Sequence, residues 1–139
     1  MTTARDIMHA GATCVQESET LADAARKMGE LDVGALPICG PDDRLHGIIT
    51  DRDIVLKCLA KGKDPKQMTA GQLAQGKPVT IDARADTGQV LQAMQEHRIR
   101  RLPVIDDHRL VGMISEADLA RHLSEEEVGH FVEAICAAR

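Results

Sequence analysis

Apolar positions along this chain recur in a pattern that repeats once. At a spacing of 66 residues Ile7 aligns with Leu73, Val15 with Ile81, Met28 with Met94 and Val33 with Ile99, and the run Leu36-Pro37-Ile38 aligns with Leu102-Pro103-Val104. After the next turn the spacing becomes 65: Leu45 meets Leu110, Gly47-Ile48-Ile49-Thr50 meets Gly112-Met113-Ile114-Ser115, and Asp53 meets Asp118. Few pairs are identical, but the apolar phase is kept. A one-residue deletion in a turn is the change a duplicated fold tolerates best.

Each copy predicts the same elements. A short apolar run (Thr13–Val15; Val79–Ile81) reads as a strand. A helix follows, opened by Thr20 three residues before Asp23 and by Asp86 three before Gln89, which is capping-box spacing. Its apolar face is Leu21, Ala24, Ala25 and Met28 in one copy and Val90, Leu91 and Met94 in the other. Two strands come next, Ala35–Cys39 with Leu45–Thr50 and Arg101–Ile105 with Leu110–Ser115, joined by polar turns that predict hairpins. A second helix closes each copy, Asp51–Lys61 and Glu116–His122. The short capped segment Thr69–Ala74 mirrors Thr3–Met8. Ser124 with Glu127 opens a last helix, with Val128, Phe131, Val132 and Ile135 as its apolar stripe. The division is therefore 1–66, 67–124 and an amphipathic helix over 125–139. The fold class is α/β (α+β), two βαββα repeats packed face to face about a pseudo-twofold axis so that each sheet hides its second face.

Composition narrows the function. The 139 residues carry a net charge of −5, with Phe131 as the one aromatic residue. Neither a basic stripe nor aromatic stacking platforms are present, so nucleic acid is not an expected partner. No apolar run reaches membrane-spanning length, and the opening residues lack a signal-peptide core, so the expectation is a cytoplasmic protein away from the membrane. Cys14, Cys39, Cys58 and Cys136 form no CxxC pair. No nucleophile, base and orienting group are brought together by the repeat, so no enzyme is expected.

The βαββα unit with Leu36-Pro37-Ile38 and Gly47-Ile48-Ile49-Thr50-Asp51-Arg52-Asp53, repeated as Leu102-Pro103-Val104 and Gly112-Met113-Ile114-Ser115-Glu116-Ala117-Asp118, resembles the CBS domain family. The lead-in Ala4-Arg5-Asp6-Ile7-Met8 resembles that family's usual opening. The likeness covers roughly residues 3 to 123, and more narrowly the chain resembles the stand-alone CBS pairs of actinobacteria. The resemblance implies a Bateman module, a regulatory pair whose cleft binds AMP, ATP or S-adenosylmethionine, with a hypoxia or stress association. It also implies a homodimer, or a scaffold for an unknown partner protein reached through the Phe131 stripe.

The residues support such a site in physical terms. Thr50 and Ser115 close a strand just before a helix, where a hydroxyl and helix N-terminal amides suit an anion. Asp53 and Asp118 lie in the first helical turn, where a carboxylate accepts from a ribose diol. Val15, Ile38, Ile81 and Val104 are aliphatic candidates to sandwich adenine. Arg101, with Arg52 in the first copy, offers guanidinium to phosphate. The same Thr50, Ser115, Asp53 and Asp118 also read as plain helix caps, and Arg98, Arg100 and Arg101 as a solvated edge.

In a CBS fold His97 and His122 end adjacent helices, which makes them two candidate zinc ligands short of a full set. Histidines at helix ends also serve simply as favourable C-terminal residues. Cys14 and Cys39 end neighbouring strands of that fold. A disulfide fits if their Cα atoms come within about 7 Å. Two small buried thiols are the alternative, and a reducing compartment favours them.

Overall fold

The computed structural model describes residues 1–11, 13–42 and 44–137. The elements run α1 (Ala4–Ile7), β1 (His9–Ala10), β2 (Val15–Gln16), α2 (Leu21–Leu31), β3 (Ala35–Cys39), β4 (Leu45–Thr50), α3 (Asp51–Lys57), β5 (Ile81–Asp82), α4 (Thr87–His97), β6 (Arg101–Asp106), β7 (Arg109–Ser115), α5 (Glu116–His122) and α6 (Glu125–Cys136). They form two compact units. One is continuous, Thr13–Pro78; the other is split, joining Met1–Ala12 to Val79–Arg139.

Each unit has its own sheet and its own apolar core. The continuous unit orders its strands β2-β3-β4, and the split unit β1-β7-β6-β5. In both, the first strand of the repeat runs parallel to the second, and the second pairs antiparallel with the third. Both hairpins carry a register shift at the matching place, Ile38/Cys39 and Val104/Ile105. Asp107 and His108 turn the split unit's hairpin with φ of 50° and 65°, the geometry of a two-residue primed turn. The other hairpin turns over a longer span, with Gly40 N–H donating to Arg44 O at 3.0 Å. That extra residue is why the repeat spacing falls from 66 to 65.

The helices start where their caps predict. Thr20 Oγ1 accepts from Asp23 N–H at 3.1 Å, while Asp23 Oδ2 accepts from Thr20 N–H at 3.0 Å. Asp86 and Gln89 repeat the box at 2.8 and 3.0 Å. Such a cap contributes about 1 kcal/mol. The helix expected over Asp51–Lys61 is shorter: α3 stops at Lys57, and a 3₁₀ turn, Leu59–Lys61, ends at Gly62 with φ 70°. On α6, Phe131 and Ile135 are buried, whereas Val132 faces out. None of the described helices is long and apolar enough to cross a membrane.

The lead-in of each repeat packs on the other copy. Ala4 and Ile7 of α1 are buried in the split unit's core beside Val90, Met94 and Leu119. β1 adds to the edge of β7, with His9 opposite Met113 and Ala10 opposite Gly112. Correspondingly, the 3₁₀ turn Ala70–Leu73 sends Ala70 into the continuous core, with Leu73 and Ala74 packed against it. The isolated bridges Thr3–Asp86 and Thr20–Thr69 are repeat mates. Two glycines make room for the visitors. A Cβ on Gly112 would lie 2.6 Å from His9 O, and one on Gly47 would lie 3.1 Å from Ala74 Cα. The packing breaks therefore fall near residues 12 and 78, while the sequence repeat is counted from 66 to 67.

Candidate functional site

The junction of β4 with α3 is built by a reciprocal cap. Thr50 Oγ1 accepts from Asp53 N–H at 3.0 Å, and Asp53 Oδ2 accepts from Thr50 N–H at 3.0 Å. The second carboxylate oxygen, Oδ1, lies 3.2 Å from Lys57 Nζ, and the group keeps partial exposure. Arg52 is exposed beside it. Ala35 stands opposite Thr50 across the hairpin.

The matching junction of β7 with α5 differs in chemistry. Here Arg101 stands opposite Ser115. Arg101 is half-buried and donates from Nη1 to Arg100 O at 3.0 Å. Ser115 N–H and Oγ–H both donate to Asp118 Oδ2, at 2.9 and 3.0 Å. Arg121 Nη1 donates to Asp118 Oδ1 at 3.1 Å, and His9 Nδ1 lies 3.7 Å from the same oxygen. The Asp118 side chain is 5% exposed. The Asp118 carboxylate is thus more fully engaged than that of Asp53, with Oδ2 on the helix start and Oδ1 on Arg121.

Val15, Ile38 and Val104 are fully buried in the cores, and Ile81 alone of the four keeps a partly exposed side chain. Val15 pairs with Ile38 and Ile81 with Val104 along the parallel strands.

Pairing β2 with β3 brings Cys14 and Cys39 to a Cα separation of 5.7 Å, and the two form a disulfide. Cys58 is a buried thiol donating to Lys63 O at 3.4 Å, and Cys136 is exposed. His97 and His122 end α4 and α5 with exposed side chains, and His122 Nδ1 lies 2.9 Å from Asp118 O. Among the described residues no three His, Cys, Asp or Glu side chains gather as metal ligands.

A polar cluster around the disulfide strand was not expected from the sequence. Glu19 Oε1 accepts from Gln16 N–H at 3.0 Å and from Lys27 Nζ at 2.8 Å, while Lys27 also donates to Cys14 O at 3.3 Å. The Gln16 amide, then the Lys27 ammonium, hold the Glu19 carboxyl below its usual range. His46 pairs through Nδ1 with Glu17 and lies 3.5 Å through Nε2 from Asp42. The Arg44 amide, with His46 nearby, lowers the Asp42 carboxyl too. Gln16 and Glu19 stand at capping spacing, a local signal; His46 reaches Glu17 only through tertiary pairing.

The CBS domain pattern matches residues 4–59 and 70–125. The chain is 60% identical over 136 residues to Hypoxic response protein 1 of Mycobacterium tuberculosis, covering 98% of this chain and 95% of the relative. The crystal structure of Hypoxic Response Protein I with two coordinated zinc ions superposes with a TM-score of 0.80 at 61% identity, over 88% of this chain and 100% of that one. The CBS domain pair of protein MJ0100, in complex with 5-methylthioadenosine and S-adenosyl-L-methionine, gives a TM-score of 0.77 at 27% identity, over 87% of this chain and 94% of its own. Family pattern, near full-length identity and fold agree: this chain belongs to the CBS domain family, as a tandem pair.

Proposed function

We propose that the chain is a non-catalytic, cytoplasmic regulatory module that senses an adenosine-type ligand, such as AMP, ATP or S-adenosylmethionine, at its strand-to-helix junctions and works as a homodimer in a hypoxia or stress response. The observation that carries the reading is the placement of Arg101 across from Ser115 at the start of α5. A half-buried guanidinium beside a helix N-terminus recognises phosphate or carboxylate. The junction at Thr50, Arg52 and Asp53 complements it. Asp53 is the less engaged of the two repeat-related carboxylates and is the better acceptor for a ribose diol. The MJ0100 pair, bound to two adenosine compounds, supports the ligand class.

The test is a thermal-shift screen of AMP, ATP and S-adenosylmethionine. A ligand at 100 times its dissociation constant adds about 2.7 kcal/mol of stability. Arg101→Ala is expected to abolish the shift for the charged ligand that binds best. Flat melting curves at millimolar concentrations of all three remove the reading.

A second reading is favoured by the Cys14–Cys39 bridge and by the two zinc ions of the mycobacterial relative. In it the pair responds to redox state or zinc, with His97 and His122 supplying two ligands and a second copy the rest. Elemental analysis of natively purified protein decides the zinc arm, and mass spectrometry with and without reductant decides the thiol arm.

A further inference from the structure

The parallel strand pairing that opens each repeat is made twice, once with a covalent bond beside it and once without. In the continuous unit β2 pairs with β3, and Cys14 and Cys39 are bonded there at a Cα separation of 5.7 Å. In the split unit β5 pairs with β6 in the same direction and matching register, Ile81 opposite Val104 as Val15 is opposite Ile38. The repeat mates of the two cysteines are Thr80 and Ile105, which carry no sulfur. The pairing therefore stands without a disulfide. The loop that the bridge closes contains α2, and α2 is seated by contacts of its own. Leu21, Ala24 and Met28 are buried in the core. Leu21 N–H donates to Met68 O at 2.9 Å, and Thr20 caps the helix start. Opening the bond removes a crosslink and leaves the non-covalent framework in place.

The two cysteines are unequally placed. Cys39 is buried at 1% exposure, and its carbonyl accepts from Glu17 N–H at 3.0 Å. Cys14 is half-buried, directly after exposed Thr13 and just before β2. Its carbonyl accepts from Lys27 Nζ at 3.3 Å, so an ammonium is held against the same residue. Glu19 Oε1, 2.8 Å from that ammonium, offsets part of the charge. An accessible cysteine beside a cation reacts as the thiolate, whereas a buried one is reached only from within the fold. We propose that Cys14 and Cys39 form a thiol–disulfide exchange couple, in which Cys14 meets an external thiol or disulfide and Cys39 is the resolving sulfur. In the oxidising direction the Cys14 thiolate attacks one sulfur of a small disulfide, RSSR. A Cys14–SR bond forms, and the other RS⁻ leaves and takes a proton from water. The Cys39 thiol releases its proton, its sulfur attacks Cys14 Sγ, and the bridge forms as the second RS⁻ leaves and is protonated. The dithiol is oxidised by two electrons, and RSSR is reduced to two RSH. Reduction runs the same steps backwards, beginning with attack of an external thiolate on Cys14 Sγ. The co-reactant class is a low-molecular-weight thiol or its disulfide. This rests on the redox arm of the second reading above and specifies its chemistry.

The test uses the full chain carrying Cys136→Ser, which removes the exposed thiol while Cys58 stays buried. The bridged chain is incubated with millimolar reduced glutathione in the absence of denaturant, quenched in acid and mapped by peptide mass spectrometry. A purely structural disulfide resists this reagent. The bridge is expected to open through a transient glutathione adduct on Cys14, with a folded amide spectrum retained. Oxidised glutathione is then expected to re-form it. With Cys39→Ser added, the adduct is expected to accumulate at position 14, because no second sulfur resolves it. With Cys14→Ser added, the adduct is expected to be lost and Cys39 to remain a free thiol. The mapping on the chain with both cysteines carries the test should either added variant fail to fold. A bridge that opens only in denaturant overturns the couple and the redox reading together. Native opening with the adduct on Cys39, or with loss of the folded spectrum, overturns the couple and leaves a redox response standing.

Discussion

The continuous and split units share one architecture, yet they are finished differently. The continuous unit is stapled by Cys14–Cys39 and leaves the outer side of α3 bare. The split unit has no disulfide among the described residues, and instead gains β1 at its sheet edge and α6 over its helices. The junctions also differ, since the partner opposite Thr50 is Ala35 and the partner opposite Ser115 is Arg101. Duplication conserved the framework, and the copies diverged at the strand-to-helix junctions and on the outer helical faces.

The comparison breaks most visibly at α6. Phe131 is buried against the split core, so Phe131→Ala is expected to cost about 3–5 kcal/mol in chemical unfolding. Hydrogen exchange should then quicken in the split unit before the continuous one. Reduction of the disulfide is expected to do the opposite. Closing a loop between cysteines 25 residues apart contributes about 3 kcal/mol in the chain-entropy model, and the loss should appear as faster exchange in β2 and β3. Equal acceleration in both units would show that they do not unfold separately.

The two glycines sharpen the comparison. At Gly112 an added methyl meets the backbone of β1, so Gly112→Ala is expected to cost about 1–3 kcal/mol. At Gly47 the neighbours stand 3.0–3.1 Å away, and Gly47→Ala is expected to cost less, under about 1 kcal/mol. Matching melting-temperature losses for the two variants would refute the tighter seating of β1.

The smallest effect is electrostatic. Gln16 N–H and Lys27 hold the Glu19 carboxyl low in the folded state. A carboxyl whose folded pKa is depressed adds stability that is fully present above its unfolded value and is lost as pH falls through the folded one. Glu19→Gln is therefore expected to lower stability near neutral pH by under about 1 kcal/mol, with the gap to wild type closing below about pH 4. Asp6 and Asp82 of the split unit are lowered in the same direction, by Thr3 and by Arg84 respectively, so both units should lose stability in acid. A constant gap across that range would show that the Glu19 contacts contribute nothing through charge.

Much of this was legible in the chain. The apolar phase located β3, β4, β6 and β7, because short apolar runs bounded by polar turns are a local property. The capping boxes placed the starts of α2, α4 and α6 for the same reason. The lead-in exchange was not legible. Local pattern says that Ala4 and Ile7 need a core, but not which copy provides it. That miss explains another: His9 reaches Asp118 only because β1 crosses to the split unit. The role of Val15, Ile38, Ile81 and Val104 was not legible, because an aliphatic strand residue looks the same from sequence whether it faces a core or a cleft. The resemblance to CBS pairs placed Cys14 and Cys39 on neighbouring strands, and β2–β3 pairing joined them.

The most direct measurement is an amide nitrogen-15 NMR titration of the full chain with ATP and with S-adenosylmethionine. The account predicts saturable shifts concentrated at Thr50–Ile54 or at Arg101 and Ser115–Leu119, with Arg101→Ala erasing the second set. Shifts confined to other surfaces, or no shifts at millimolar ligand, would contradict it.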